Sequence, residues 1–229
     1  MKTTLITGTS KGIGYNLCKH YLNKNHKVIS ISRSDIFFNH KNLLHLQQDI
    51  TNINCHENIL KLVKDEKIDN CIINAGINKD AMFHKMKYNE WFDTINTNLI
   101  SIYNILNPVI ENMRRYENGN IIFVSSVIGK KGLIGGSNYA CSKSAIYGLT
   151  KSLALENAGK NILVNSISPG YINDGMGNNI LDKNKLELFK SIPLKKFGET
   201  EDILHITDYL LEKNKYMTGS NIDINGGYY

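Results

Sequence analysis

Three observations predict an α/β fold in which a parallel sheet is covered by helices on both faces. Short apolar runs alternate with longer helical patterns along the 229 residues, a glycine-rich turn follows the first apolar run, and no repeat or linker-like stretch interrupts the alternation. The first strand is read over Thr3–Thr7. It enters the turn Thr7-Gly8-Thr9-Ser10-Lys11-Gly12-Ile13-Gly14, and a helix follows over Ile13–Asn23. Strands are then expected over Lys27–Ser32, Leu43–Gln48, Asn70–Ile73, Asn120–Ser125, Leu163–Ile167 and Asn221–Ile224. The intervening helices are expected over Glu57–Asp65, Asn89–Tyr116, Ser137–Asn157 and Glu201–Glu212. The stretch Tyr171–Phe197 breaks this rhythm, with a weak helix over Lys183–Lys190. An insertion at the carboxyl end of a strand lies where open α/β sheets bind ligands, so residues 171–197 are expected to form a substrate lid. The alternative is a packed excursion. Tyr171, Met176 and Phe189 would shape the pocket.

Composition fits one domain spanning residues 1–229. Hydrophobic residues make up 41% of the chain, and a domain of this size buries roughly 70–75% of its unfolded-chain surface. The net charge is +6, read either as a generally basic surface or as attraction to an anionic cofactor, substrate or carrier. Lysines and arginines are scattered, so nucleic acid is not an expected partner. Arg114 and Arg115 have two readings, a solvated helix end or a contact for an acidic carrier. Cys18, Cys55, Cys71 and Cys141 form no C-x-x-C pair and are read as free thiols of a reducing cytoplasm. No secretory h-region and no run of about 18 apolar residues is present, so a cytoplasmic location without a membrane partner is expected. The seven histidines show no metal-ligating spacing, and no metal is expected.

The chemistry is concentrated in two places. Tyr139 and Lys143 stand four residues apart, on one face of a helix, and Ser126 lies thirteen residues before the tyrosine. A free tyrosine has a pKa of about 10, and a nearby ammonium would favour the phenolate, so the pair reads as an acid/base centre. At the other place, Gly8, Gly12 and Gly14 give a G-x3-G-x-G spacing. Glycine there permits a tight turn, close approach of backbone to phosphate and close helix–strand packing, while the helix amino terminus attracts an anion. No G-K-[ST] follows, which excludes the P-loop. The second strand ends in Arg33 rather than in a carboxylate. A planar cation suits a 2′-phosphate, with Lys11 as a second charge, so NADP(H) is favoured. Asp35, two residues on, keeps NAD(H) open.

Together these residues resemble the short-chain dehydrogenase/reductase family over nearly the whole chain. Its glycine motif matches Gly8, Gly12 and Gly14, its Asn-Ala-Gly motif matches Asn74-Ala75-Gly76, and its Pro-Gly turn matches Pro169-Gly170. Its catalytic asparagine, serine, tyrosine and lysine match Asn98, Ser126, Tyr139 and Lys143; Asn96, Asn104 and Ser125 are nearby rivals. The resemblance implies a Rossmann-type, three-layer αβα domain with a seven-stranded parallel sheet. It implies a cofactor held by Gly8, Ser10, Lys11, Gly12, Ile13, Gly14, Arg33, Asp49, Ile50, Asn74, Ala75, Gly76, Tyr139, Lys143, Pro169, Gly170 and Ile172. Asp49 would contact adenine, or else end a strand in a turn. Ser126 would bind the reacting oxygen, Tyr139 would donate its proton, Lys143 would lower the phenol's pKa and hold the ribose, and Asn98 would hold a water leading to solvent. Within the family the chain is most similar to 3-oxoacyl-acyl-carrier-protein reductases. This implies NADPH-dependent reduction of a 3-oxoacyl thioester, possibly on acyl carrier protein, by a homotetramer or dimer. Dehydrogenation of a sugar, polyol or other small alcohol, and non-catalytic NADP(H) sensing or scaffolding, remain alternatives. One departure stands out: Asp174 occupies a position where the family often has a threonine that contacts the nicotinamide carboxamide.

Overall fold

A computed structural model describes residues 1–36, 38–174 and 182–229. Seven strands form one parallel sheet: β1 Thr3–Thr7, β2 Lys27–Ser32, β3 Leu43–Gln47, β4 Asn70–Ile73, β5 Gly119–Val124, β6 Ile162–Pro169 and β7 Asn221–Ile224. Their spatial order is β3-β2-β1-β4-β5-β6-β7. The order reverses between β1 and β4, and this switch point opens a crevice at the carboxyl edge of the sheet. The helices are α1 Gly12–Asn23, α2 Cys55–Val63, α3 Tyr88–Ile95, α4 Ile102–Tyr116, α5 Ile128–Lys131, α6 Ser137–Asn157, α7 Asp182–Ser191 and α8 Thr200–Asp208.

The sheet's period of two sorts the core into two layers. Leu5, Cys71 and Ile121 face one cluster, with Ile59, Val109 and Met113 of α2 and α4. Their sequence neighbours Ile6, Ile72 and Ile122 face the other, with Leu17 of α1 and Ile203 of α8. Strands buried on both faces explain why these segments read as continuous apolar runs. The three-layer αβα expectation therefore holds, and every expected strand is present with ends shifted by no more than two residues.

Two details differ from expectation. The long helix expected over Asn89–Tyr116 is interrupted by a π-helical turn at Asn96–Ile100, between α3 and α4. A π-turn inserts one extra residue into a helix, and such turns recur at functional sites. The short helix α5 follows Ser126 and was not expected. The weak helix expected over Lys183–Lys190 is present as α7, while Met176, expected to shape the pocket, lies outside the described residues. Among the described residues, no helix is long and apolar enough to cross a membrane. All four cysteines are free, three of them buried.

Candidate active site

The nucleotide end of the crevice is shaped by what cannot fit there. Gly8 has φ +74° and Gly12 has φ +60°, both in the left-handed region. A Cβ on Gly14 would lie 2.2 Å from the Gly8 carbonyl oxygen and 2.5 Å from Asn74 Nδ2. Asn74 closes the turn from the neighbouring strand by donating to the carbonyls of Thr7 (3.1 Å) and Gly8 (3.2 Å). The amides of Asn74 and Ala75 donate to Thr7 Oγ1 at 3.0 and 3.1 Å. Asn74 thus has a structural task, holding the glycine turn onto β4. Ser10 lies in this turn, and Ile13 packs into the α1 face of the core. Lys11 stands at the N-cap of α1 without a capping side-chain bond, and the first turn of α1 holds no acidic residue. The positive end of α1 therefore opens toward an anion without competition. Gly14→Ala should weaken cofactor binding at least tenfold and lower stability by about 1–3 kcal/mol, since the new methyl meets backbone and not a yielding side chain. A fluorescence titration with NADPH and a thermal melt would measure both.

Arg33 is exposed just past β2, and its carbonyl accepts from Gln47 Nε2 at 3.0 Å. Asp35 is turned to its own chain. Its side chain is 79% exposed, and it accepts the Ile36 amide at 2.8 Å. Asp49 accepts the amide and hydroxyl of Thr51 at 2.9 and 2.7 Å in the turn after β3. Ile50 beside it is buried. At the far side of the crevice Gly170 follows β6. Its amide donates to Ile224 (2.8 Å), and a Cβ there would meet Asn225 Cα at 2.9 Å. Ile172 is buried and bridges to Gly198.

Asp174 is not left facing the crevice alone. Asn16 of α1 donates to its Oδ2 at 2.6 Å, and Thr200 of α8 donates to the same oxygen at 3.3 Å. The residue that replaces the family threonine thus ties the segment after β6 to two helices.

The catalytic candidates meet where β5, the π-turn and α6 converge. Ser126 Oγ accepts the Ile128 amide at 3.2 Å, and the Ser126 side chain beside the Tyr139 phenol acts to lower its pKa. The rival Ser125 is committed elsewhere, donating to the Lys143 carbonyl at 2.8 Å. Lys143 is buried; its Nζ donates to the Val124 carbonyl at 2.8 Å and lies 5.7 Å from the centroid of the Tyr139 ring. Asn98, in the π-turn and 2% exposed, clasps the backbone of Ile77. Its Oδ1 accepts the Ile77 amide and its Nδ2 donates to the Ile77 carbonyl, both at 2.8 Å, while Nδ2 also donates to Ser142 Oγ at 3.0 Å. Its rival Asn104 is turned away, donating to the Ile50 carbonyl at 2.9 Å. Gly76 lies between the two polar groups: a Cβ there would sit 3.3 Å from Asn98 Oδ1 and 3.4 Å from Lys143 Nζ.

Burial pushes the Tyr139 phenol up to about 12, with Ser126 opposing the rise and Asp80 and Tyr147 adding to it. Burial also brings Lys143 down from its ordinary 10.5 to about 8. A low-dielectric pocket penalises both charged forms. At neutral pH the site thus holds a neutral phenol, a proton donor.

Several residues that build this site had no sequence signal of their own. Asn138 donates to the carbonyls of Lys79 (2.9 Å) and Glu90 (3.1 Å) and accepts the Tyr139 amide (2.8 Å), fixing the start of α6. Ser142 joins Asn98 to the Tyr139 carbonyl, to which it donates at 2.8 Å. Tyr171 and Phe189, expected from the sequence to shape the pocket, form an apolar wall with Phe197, Tyr228, Val127 and Ile128, and Tyr139 packs against it. Within the wall, Phe189 stacks on Phe197 at 4.3 Å, and Tyr171 lies 5.6 Å from Tyr228. Arg114 is held within the chain, donating to the Glu156 carbonyl (3.1 Å) and Asn157 Oδ1 (2.9 Å) near the end of α6.

Residues 2–185 match the family model described as short chain dehydrogenase. The chain is 34% identical to a 3-oxoacyl-[acyl-carrier-protein] reductase FabG of Staphylococcus epidermidis, over 100% of this chain and 99% of that protein. It is also 34% identical to an acetoacetyl-CoA reductase of an Acinetobacter species, over 100% and 98% of the two chains. Among solved structures, ElxO with NADP bound superposes with a TM-score of 0.91 at 30% identity, covering 99% of this chain and 98% of that one. A short chain dehydrogenase family protein from Francisella tularensis gives 0.91 at 29% identity, over 100% and 98%.

Proposed function

The chain belongs to the short-chain dehydrogenase family of oxidoreductases, and from that premise we propose that it is an NADPH-dependent reductase whose substrate is a 3-oxoacyl thioester. The observation that carries this reading is the convergence of Ser126, the Tyr139 phenol and buried Lys143, whose Nζ lies 5.7 Å from the Tyr139 ring centroid. The glycine cradle fits a dinucleotide, because any Cβ at Gly14 would fill the space against the Gly8 carbonyl. Gly8, Ser10, Gly12, Ile13 and Gly14 would hold the pyrophosphate at the open end of α1. Arg33 and Lys11 would hold the 2′-phosphate, Ile50, Ala75 and Gly76 would line the adenosine side, and Gly170 and Ile172 the nicotinamide side. When bound, NADPH would supply the hydride.

The protein's own groups supply the rest. Ser126 would donate to the carbonyl oxygen as negative charge develops there, and Tyr139 would pass its proton to that oxygen. Lys143 would hold the ribose and stabilise the phenolate left behind, and Asn98 would position the lysine's surroundings through Ile77 and Ser142. The wall of Tyr171, Phe189, Phe197 and Tyr228 suits an acyl chain better than a polyol, since it offers mainly aromatic faces. NADP-bound ElxO and the curated acyl-thioester reductases support the same cofactor and substrate class. Exposed Ile100 and Tyr103 near α4 and Leu155 on α6 support a homotetramer or dimer packed through these helices. Acyl carrier protein is the proposed carrier.

The test is oxidation of NADPH, with NADH in parallel, on acetoacetyl thioester. Fast turnover specific to NADPH supports the reading. Turnover only on sugars or small alcohols in a carbonyl and alcohol panel would overturn the substrate class, and binding of neither cofactor would overturn the nucleotide site. Arg33→Ala should raise the KM for NADPH by roughly tenfold to a hundredfold and leave that for NADH nearly unchanged, the loss of a charge-assisted bond to phosphate. An equal effect on both cofactors would remove Arg33 as the selector.

A further inference from the structure

Tyr147 is not used by the chemistry above, yet it lies on the same face of α6 as Tyr139 and Lys143, at the next four-residue step. Its hydroxyl donates to the backbone carbonyl of Ser126 at 2.8 Å. That oxygen also accepts the Gly129 amide, at 3.0 Å. The Tyr147 oxygen also lies 3.2 Å from Ser168 Oγ at the end of β6. Ser168 is itself held by Asn221 of β7, donating to its Oδ1 at 3.0 Å, with Asn221 Nδ2 2.9 Å from the same hydroxyl and donating to Ser166 Oγ at 2.9 Å.

We infer that Tyr147 is a positioning residue for Ser126, holding the turn between β5 and α5 so that the serine hydroxyl meets the substrate oxygen and the Tyr139 phenol together; this rests on the reductase reading. The geometry explains why the turn needs a clamp. Ser126 lies two residues past the end of β5, between Ser125 and Val127, whose amides donate to Ile167 and Pro169 of β6. Two donors on the Ser126 carbonyl fix the plane of the following peptide and, through it, the direction of Oγ. Close contact is built in, since a Cβ on Gly129 would lie 2.9 Å from the Tyr147 hydroxyl and 2.8 Å from the Lys143 backbone. A phenylalanine would fill the same ring volume, so the hydroxyl's contribution lies in these bonds.

Tyr147→Phe tests this. The expected result is a kcat about tenfold lower with the KM for NADPH changed less than about twofold, because a small misplacement of a reacting group lowers the rate without altering cofactor contacts. In a Ser126→Ala background the same change should add less than about twofold, because the clamp has nothing left to position. Ser168→Ala should give a smaller loss of the same kind, and it carries the test if Tyr147→Phe folds poorly. Unchanged kcat in Tyr147→Phe, or an equal loss in the Ser126→Ala background, would overturn the inference. A wild-type protein without turnover on any carbonyl would overturn the reductase reading along with it, a result no variant can mimic.

Discussion

Tyr139→Phe is expected to lower kcat by roughly 10² to 10⁴, the range for losing a positioned proton donor, while NADPH still binds within about fivefold. Burial raises the phenol's pKa to about 12, so it is neutral at working pH and stands beside Ser126. Removing its hydroxyl leaves the carbonyl oxygen with the serine bond but no proton. The ring still packs on Val127, Ile128 and the aromatic wall, so the melting temperature should change little. The measurement is steady-state turnover beside a fluorescence titration with NADPH. Retention of more than about a tenth of the wild-type rate would move the proton-donor role to another group. Ser126→Ala should fall by about 10² to 10³, as when one donor to a developing oxyanion is removed, so the two variants rank the groups.

Much of this was legible in the sequence because it rests on local geometry. A glycine turn after an apolar strand needs only neighbouring residues to declare itself, and Tyr139 and Lys143 share a face by spacing alone. The sheet was legible because strands buried on both faces must be apolar throughout. What stayed hidden depends on contacts between distant residues. Asn98 meets Ser142 across 44 positions and Asn138 meets Lys79 across 59, and no pattern in either segment announces the other. The π-turn at Asn96–Ile100 joins α3 to α4 without a loop between them, so two helices read as one. Asp174 looked like a missing contact because its partners, Asn16 and Thr200, approach from other elements. The burial of the pair is hidden for the same reason: spacing gives proximity, but burial, which shifts both groups, is set by packing.

That burial carries the second large effect. Lys143 has its pKa brought from 10.5 to about 8 by removal from water. Between those values the unfolded chain holds a proton that the folded protein has released, so stability contributed by this group rises with pH across that window. Below about pH 8 the folded protein must keep the buried charge. The shift corresponds to roughly 3 kcal/mol of destabilisation at neutral pH, an upper bound. The bond to the Val124 carbonyl offsets part of it, about 1 kcal/mol. Lys143→Met keeps the length of the side chain without the charge. It should lower turnover at least about a hundredfold by removing the partner of the phenolate. Yet the cofactor-free variant should melt about 2–6 °C higher than wild type at pH 7. The advantage should shrink by pH 10, where the wild-type lysine is already neutral when folded. Thermal melts of both proteins at the two pH values would check this. A variant less stable than wild type at both pH values would mean that Lys143 is held in place by its bonds more strongly than its desolvation opposes it. The expected opposite result would mark this lysine as a group kept for chemistry against the stability of the fold.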